Sequence, residues 1–383
     1  MPDLVDRVRA LVPLLRSNAA RCTAERRVPR ENLDALRGTG LFRAALPRRL
    51  GGLELDVRTK LAALTEVARG CGSTAWVATI YLDSVFLLAK FPDEVQEEVF
   101  ADPEAFHCAT LAVPGRAVVV DGGYSVSGRW PFNSGCLDAS YLLQPAVVEG
   151  CGPAHFAIPA RDLTVEDDWH VSGMEGTGSN TVSGRDVFVP HRHAIPSARL
   201  LDQEHRSERN ADSPFFRHPP LPYLVTSAAA SFLGLAEAAY EFYLDRLPRR
   251  GPVAYTGHAH HRDAAITHHQ VAESRLKVDA ARLLAEQAAD LLDERVATGA
   301  GCDRQDRARV WGQVAYATRL CAEAVEALRL GSGASGISTA FPLHRIARDV
   351  QALATHAVLI PTTGIEHYGR ALCGVEPGTP LLL

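Results

Sequence analysis

Lysine is almost missing from this chain of 383 residues: Lys60, Lys90 and Lys277 are the only three among 40 basic residues, so the other 37 are arginine. That bias fits a GC-rich coding sequence and assigns no chemistry. No charge of one sign dominates either. Against 45 acidic residues the balance is -5, which gives no field to gather nucleic acid or an anionic membrane. The eight cysteines (22, 71, 108, 136, 151, 302, 321, 373) contain no CxxC pair. Neither a disulfide framework nor a structural zinc is therefore expected, and the thiols should be reduced. No window approaches about 18 uninterrupted apolar residues, and the opening MPDLVDRVRALVPLLRS carries acids and arginines where a signal peptide needs an apolar core. Together these absences predict a cytoplasmic protein with no membrane, nucleic-acid or metal partner.

What is present is ordinary globular material, 46% apolar and 22% charged, enough for two or three structural units. Apolar residues recur at helical spacing through Leu4, Val8, Leu11 and Leu15, again through Leu33, Leu36 and Leu41, and from Arg58 to Phe91. From there GRAVVVDGGYSVSGRW alternates around a Gly-Gly turn, and short strand-sized pieces follow to about residue 192. Long helical periods return after Pro220 and end with one from about Leu343 to Val358. The pattern predicts an α+β, mostly α chain in three parts: a helical domain over 1–108, a β-barrel over 109–205 and a four-helix bundle over 206–383.

Several motifs carry two readings. Gly331-Ser-Gly333-Ala-Ser-Gly336 spells GxGxxG, but a helix rather than a strand precedes it, which argues against a dinucleotide fingerprint. A helix C-cap or a glycine loop approaching a phosphate remain. Arg129-Trp130-Pro131-Phe132-Asn133-Ser134-Gly135 and Trp169 through Asn180 read either as turns around a packed aromatic or as a cradle for a planar cofactor, with Trp130 or Trp169 stacked on it. The histidines at 258, 260, 261, 268 and 269 match no tetrahedral ligand spacing and suit an exposed connection before a helix at Val271. His356 is placed on the last helix, two turns beyond Arg348 on the same face, either as a satisfied core histidine or as an acid or base.

The order of segments decides more than any one of them. Leu41-Phe42 with Pro47 and Gly51-Gly52-Leu53, Ala68 to Trp76, Ser127 to Gly135, Gly173-Met174-Glu175-Gly176-Thr177-Gly178-Ser179, Asp186 to Pro190 and Pro342 to Asp349 together resemble the acyl-CoA dehydrogenase superfamily across nearly the whole chain. They are most similar to its two-component flavin-dependent monooxygenases.

That resemblance implies an N-terminal helical domain, a middle β-barrel and a C-terminal four-helix bundle, assembled as a homotetramer. It implies reduced flavin, FMN ahead of FAD, delivered by a separate reductase and reacting with O2 through a C4a-hydroperoxyflavin to oxygenate a small aromatic or amine-bearing substrate. Carried over by position, Trp130, Phe132, Ser134, Trp169, Thr177, Ser179, Gly333 and Arg348 fall around the flavin, with Ser134 and His356 in catalytic roles. The phosphate is left to Arg246, Arg249, Arg250 or Arg262. Where relatives carry a histidine after the tryptophan motif, this chain has Ile80-Tyr81-Leu82-Asp83-Ser84, which points to Tyr81 and Asp83 as substrate contacts. Two alternatives stand beside this reading: an FAD-dependent acyl-CoA dehydrogenase, disfavoured because its usual glutamate position holds Ala357, and a flavin-free binding protein of the same fold.

Overall fold

The computed structural model describes residues 3–111, 115–202, 207–376 and 378. Helices α1 (Leu4–Arg9), α2 (Val12–Glu25), α3 (Arg30–Thr39), α4 (Val57–Gly70), α5 (Gly72–Leu88) and α6 (Asp93–Val99) form the first part. The side chain of Asp56 starts α4 by accepting from the Thr59 N–H at 2.7 Å, satisfying an amide the helix cannot. Almost every residue of α5 is buried, because packing surrounds it on all sides, so its sequence shows no polar face.

Eight strands follow: β1 (Phe106–Ala109), β2 (Gly115–Val120), β3 (Gly123–Trp130), β4 (Ala139–Val148), β5 (Gly152–Pro159), β6 (Thr164–Val165), β7 (Val182–Pro190) and β8 (Ala194–Pro196). They make one sheet in the order β6-β7-β3-β2-β4-β5-β8, with β1 also on β4. The end strands β6 and β8 do not pair among the described residues, so the expected barrel is a sheet curled around its own core without closure. That core is centred on Trp130, Val126, Phe156 and Ile158 and is separate from the larger helical core.

Helix α7 (Ser197–Leu201) leads out of the sheet, and the expected boundary between 205 and 206 lies outside the described residues. Then come α8 (Pro220–Arg246), α9 (Ala265–Thr298), α10 (Arg304–Gly331), α11 (Pro342–Leu353) and α12 (Pro361–Leu372). Helix α8 lies against α4, α9 and α10 at the centre of the molecule. The stretch Pro220–Arg249 is long and apolar enough to cross a membrane, but 89% of its apolar window is buried inside the fold, as befits a core helix.

Two expectations about the bundle need correction. Helix α9 starts at Ala265, so His268 and His269 stand on its exposed first turns rather than in a preceding loop. Helix α11 stops at Leu353, and His356 lies in the turn beyond it. Thr355 donates its hydroxyl to the Ala352 carbonyl at 2.7 Å while the amides of Thr355 and His356 bond three residues back, which tightens the chain out of the α-helical register.

Candidate active site

Three parts of the fold converge on one tryptophan. Trp76, just inside the N-terminus of α5, donates its indole N–H to Ser134 Oγ at 3.1 Å. Ser134 follows β3. Its hydroxyl lies 2.7 Å from Ser179 Oγ, which lies 2.6 Å from Thr177 Oγ1, which donates to the Met174 carbonyl at 2.9 Å. Each hydroxyl has one proton to give. Because Thr177 gives its proton to a carbonyl, Ser179 must donate to Thr177 and Ser134 to Ser179. Ser134 then keeps a lone pair as its free hydrogen-bonding capacity.

The turn that carries Thr177 and Ser179 is clamped from α11. The Met174 N–H donates to Asp349 Oδ1 at 2.7 Å, and Arg348 Nη1 pairs with Glu175 at 2.9 Å. Burial pushes the Asp349 pKa up to about 7, against the pull of that amide. Gly173 sits at φ 95°, and a Cβ there would lie 2.3 Å from the Arg348 carbonyl, so only glycine lets the turn approach α11 so closely.

His356 reaches the same place from beyond α11. Its ring meets the Trp76 ring edge to face with centroids 4.9 Å apart. The imidazole remains exposed to solvent, yet the protein around it displaces enough water to lower its pKa to about 4, so it is neutral at physiological pH. Beside the hydroxyl chain, Phe132 is 67% exposed at φ 63° and meets the half-buried Trp169 edge to face at 6.0 Å; Trp169 also donates to the Met174 carbonyl at 3.2 Å.

Ser134, Thr177, Ser179 and His356 are thus brought together through Trp76, with Phe132 and Trp169 alongside the hydroxyl chain. Other expected residues are elsewhere or occupied. Trp130 cannot stack on a cofactor with its side chain: the ring is fully buried in the sheet core and its N–H goes to the Pro145 carbonyl at 2.8 Å. Tyr81 and Asp83 are corrected as substrate contacts. Tyr81 donates to the Gly135 carbonyl at 2.9 Å and stacks on Phe106, while Asp83 pairs with buried Lys60 at 2.8 Å. Two positions apart on a helix, they face different neighbours.

Arg348 is engaged with Glu175 through Nη1, and its buried Nε has no hydrogen-bond partner among the described residues. Gly333, in the turn after α10, belongs to a separate arginine cluster. Arg250 donates to the Gly331 carbonyl at 2.5 Å, and Arg246 lies over Phe341 with a buried, unpartnered Nη1. Glu366, the first carboxylate after position 357, is exposed on α12 and paired with Arg370 at 3.1 Å. Sequence reasoning missed Trp76 and Asp349 as site residues. Both stand inside quoted motifs, and a lone aspartate between Ala347 and Val350 on an apolar helix face was the available signal.

A chain of hydroxyls ending in a free acceptor, a neutral imidazole and flanking aromatic rings suits one polar edge of a flat heteroaromatic group such as flavin. Family models for the acyl-CoA dehydrogenase N-terminal domain and C-terminal domain match residues 3–103 and 226–361. The flavin-dependent monooxygenase oxygenase subunit HsaA of Rhodococcus jostii is 33% identical, covering 97% of this chain and 98% of that protein. This chain belongs to the acyl-CoA dehydrogenase family, among its flavin-dependent monooxygenase oxygenase components. The oxygenase component is also 32% identical to the FADH2-dependent resorcinol hydroxylase oxygenase component of a Rhizobium species, over 98% of this chain and 95% of that one. XiaF from a Streptomyces species, solved in complex with FADH2 and glycerol, superposes with a TM-score of 0.93 at 32% identity, covering 98% and 96% of the two chains. Membership in this group overturns the flavin-free alternative and implies a flavin reductase as partner.

Proposed function

We propose that this oxygenase component inserts one oxygen atom from O2 into a small aromatic or amine-bearing substrate at the Trp76, Ser134 and His356 site. The observation that carries this reading is the Trp76 N–H bond to Ser134, which fixes the serine while the same ring packs against His356 in a T-shaped contact. Reduced flavin bound there supplies the electrons that activate O2. Ser134, with its proton committed to Ser179, offers an acceptor to a ring N–H, which suits the reduced cofactor. His356, neutral near pH 7, offers a ring nitrogen as hydrogen-bond acceptor to a substrate hydroxyl or amine. Phe132 and Trp169 cover the hydroxyl chain and limit water.

The names of the resorcinol hydroxylase and of the XiaF complex support FADH2 over FMNH2. Arg246 and Arg250 are the proposed phosphate ligands, because Arg246 Nη1 is buried without a partner while Arg249 and Arg262 are exposed. Leu276 and Leu283, seven residues apart on α9 and 68% and 67% exposed, support burial against further copies in a homotetramer. A cytoplasmic location follows from the reductase dependence.

The test is anaerobic mixing with FADH2 or FMNH2 followed by oxygenated buffer. A delayed return of oxidised-flavin absorbance, through a distinct earlier phase, is the expected result. Reoxidation at the rate of free flavin would overturn the proposal.

A further inference from the structure

The imidazole of His356 packs against Trp76, yet no hydrogen bond holds it among the described residues. Its aim therefore depends on the backbone that carries it. That backbone is the turn from Ala354 to Ile360 between α11 and α12, whose middle, Thr355, His356 and Ala357, is exposed. Within the turn the His356 carbonyl accepts from the Leu359 and Ile360 amides at 2.8 and 3.1 Å, which closes the loop on itself without tying it to the rest of the molecule. Two contacts supply the tie. Leu359 is buried in the helical core, an anchor without direction, and Trp311 on α10 donates its indole N–H to the Val358 carbonyl at 2.8 Å.

Trp311 is itself fixed. It is buried, and its ring stacks on His367 of α12 with centroids 4.9 Å apart and planes inclined by 25°. Helix α12 comes this near because Gly364 has no side chain: a Cβ there would lie 2.6 Å from the Ala315 Cβ and 3.0 Å from Trp311 Cδ1. The indole is thus gripped between α10 and α12, and a hydrogen bond from so rigid a donor sets both the distance and the direction of its acceptor. His356 stands between two tryptophans, Trp76 at its ring and Trp311 two residues along its backbone.

We propose that Trp311 is a positioning residue for the oxygenase site: its N–H holds the Val358 carbonyl, and through it the turn that sets the His356 imidazole against Trp76. The proposal rests on the reading of His356 as a site residue given above. Without the N–H the turn keeps Leu359 in the core but loses its directional anchor, and the imidazole leaves the Trp76 ring for solvent more often. Water then gains entry to the polar edge beside Ser134.

The test compares the full-length native protein with Trp311→Phe, which keeps a ring against His367 and deletes the N–H. Flavin-free protein is treated with diethyl pyrocarbonate, which acylates accessible neutral imidazoles, and the modified histidines are followed by peptide mass spectrometry. In the native chain His356 should react several-fold more slowly than exposed His258 and His260. In Trp311→Phe the His356 rate should rise roughly fivefold, the equivalent of one net hydrogen bond. Buried His107 and His155 should stay unreactive in both, since only the turn is loosened. In anaerobic mixing with FADH2 followed by oxygenated buffer, the delay before oxidised-flavin absorbance returns should shorten in Trp311→Phe and in His356→Ala. It should shorten no further in the double variant, because one residue acts through the other. An unchanged His356 rate, a rise shared by His107 and His155, or shortening that multiplies in the double variant overturns the proposal. So does a native His356 that reacts as fast as His258 and His260, a comparison that stands whether or not Trp311→Phe folds. Native protein without any delay would instead overturn the function proposed above, and the acylation rates would still decide whether Trp311 holds His356.

Discussion

The Trp76 indole stands between Ser134 and His356, giving its N–H to the serine at 3.1 Å and meeting the imidazole in a T-shaped contact at 4.9 Å between centroids. One side chain therefore sets both proposed catalytic groups. Trp76→Phe keeps the ring packing and deletes the N–H. With a net hydrogen bond worth about 1 kcal/mol, reduced-flavin affinity should fall roughly five- to tenfold while thermal stability changes little. Anaerobic fluorescence titration checks this, and an unchanged dissociation constant would remove the indole N–H from any role in placing Ser134.

Thr177 controls the direction of the hydroxyl chain without ending it in solvent. Its proton goes to the Met174 carbonyl, which makes Ser134 an acceptor toward the site. In Thr177→Val, Ser179 is free to donate back to Ser134, and Ser134 is then free to donate outward. Oxidised flavin, whose N5 accepts, should gain against reduced flavin, whose N5 carries a proton. The ratio of the two dissociation constants should narrow by roughly tenfold, about 1.4 kcal/mol. Equal loss for both redox states would mean that the chain has no directional role.

Histidine burial sets an acid limit on stability. Desolvation lowers His107 and His155 to about 4 from the 6.5 of an unperturbed imidazole. Between those values the unfolded chain binds protons that the folded chain refuses, so stability is greatest above pH 6.5 and falls as pH drops toward 4. Each should contribute on the order of 3 kcal/mol across the window, since both side chains are almost wholly buried. Unfolding midpoints measured from pH 7 to 4 should flatten by about one proton's worth of slope in His155→Gln. A parallel curve would show that His155 takes up its proton at the same pH in the folded and the unfolded chain.

Much of this architecture is legible in the chain itself, and the parts that are not share a cause. Periodicity and turn chemistry mark α2, α4 and the β2–β3 hairpin because one face of each meets solvent or a tight turn. Trp130 misleads because an aromatic beside Ser134 looks the same in sequence whether it points into a cofactor cleft or into the sheet core. Tyr81 and Asp83 mislead for a similar reason: α5 is buried all round, so no polar face identifies the side toward the site. The position of His356 depends on where α11 ends, and neither glycine nor proline marks that end before Pro361. Asp349 is meaningful only through its bond to the Met174 amide, a contact across 175 residues.

Asp83 provides the sharpest separation of fold from chemistry. It pairs with Lys60 at 2.8 Å, and the Lys60 ammonium also lies 3.5 Å from the Tyr223 ring centroid. Burial raises the Asp83 pKa and lowers that of Lys60, the pattern of two buried charges whose main compensation is each other. Asp83→Asn leaves an uncompensated ammonium in the core and should cost about 3–5 kcal/mol, read as a fall in the denaturant midpoint. Replacing both partners, Lys60→Met with Asp83→Leu, should recover most of that loss, because neither charge then needs a partner. At a temperature where Asp83→Asn remains folded, its reduced-flavin affinity should stay within about twofold of native, below 0.5 kcal/mol. If affinity or substrate coupling collapses while the fold persists, Asp83 belongs to the active site after all and its bond to Lys60 tunes the chemistry.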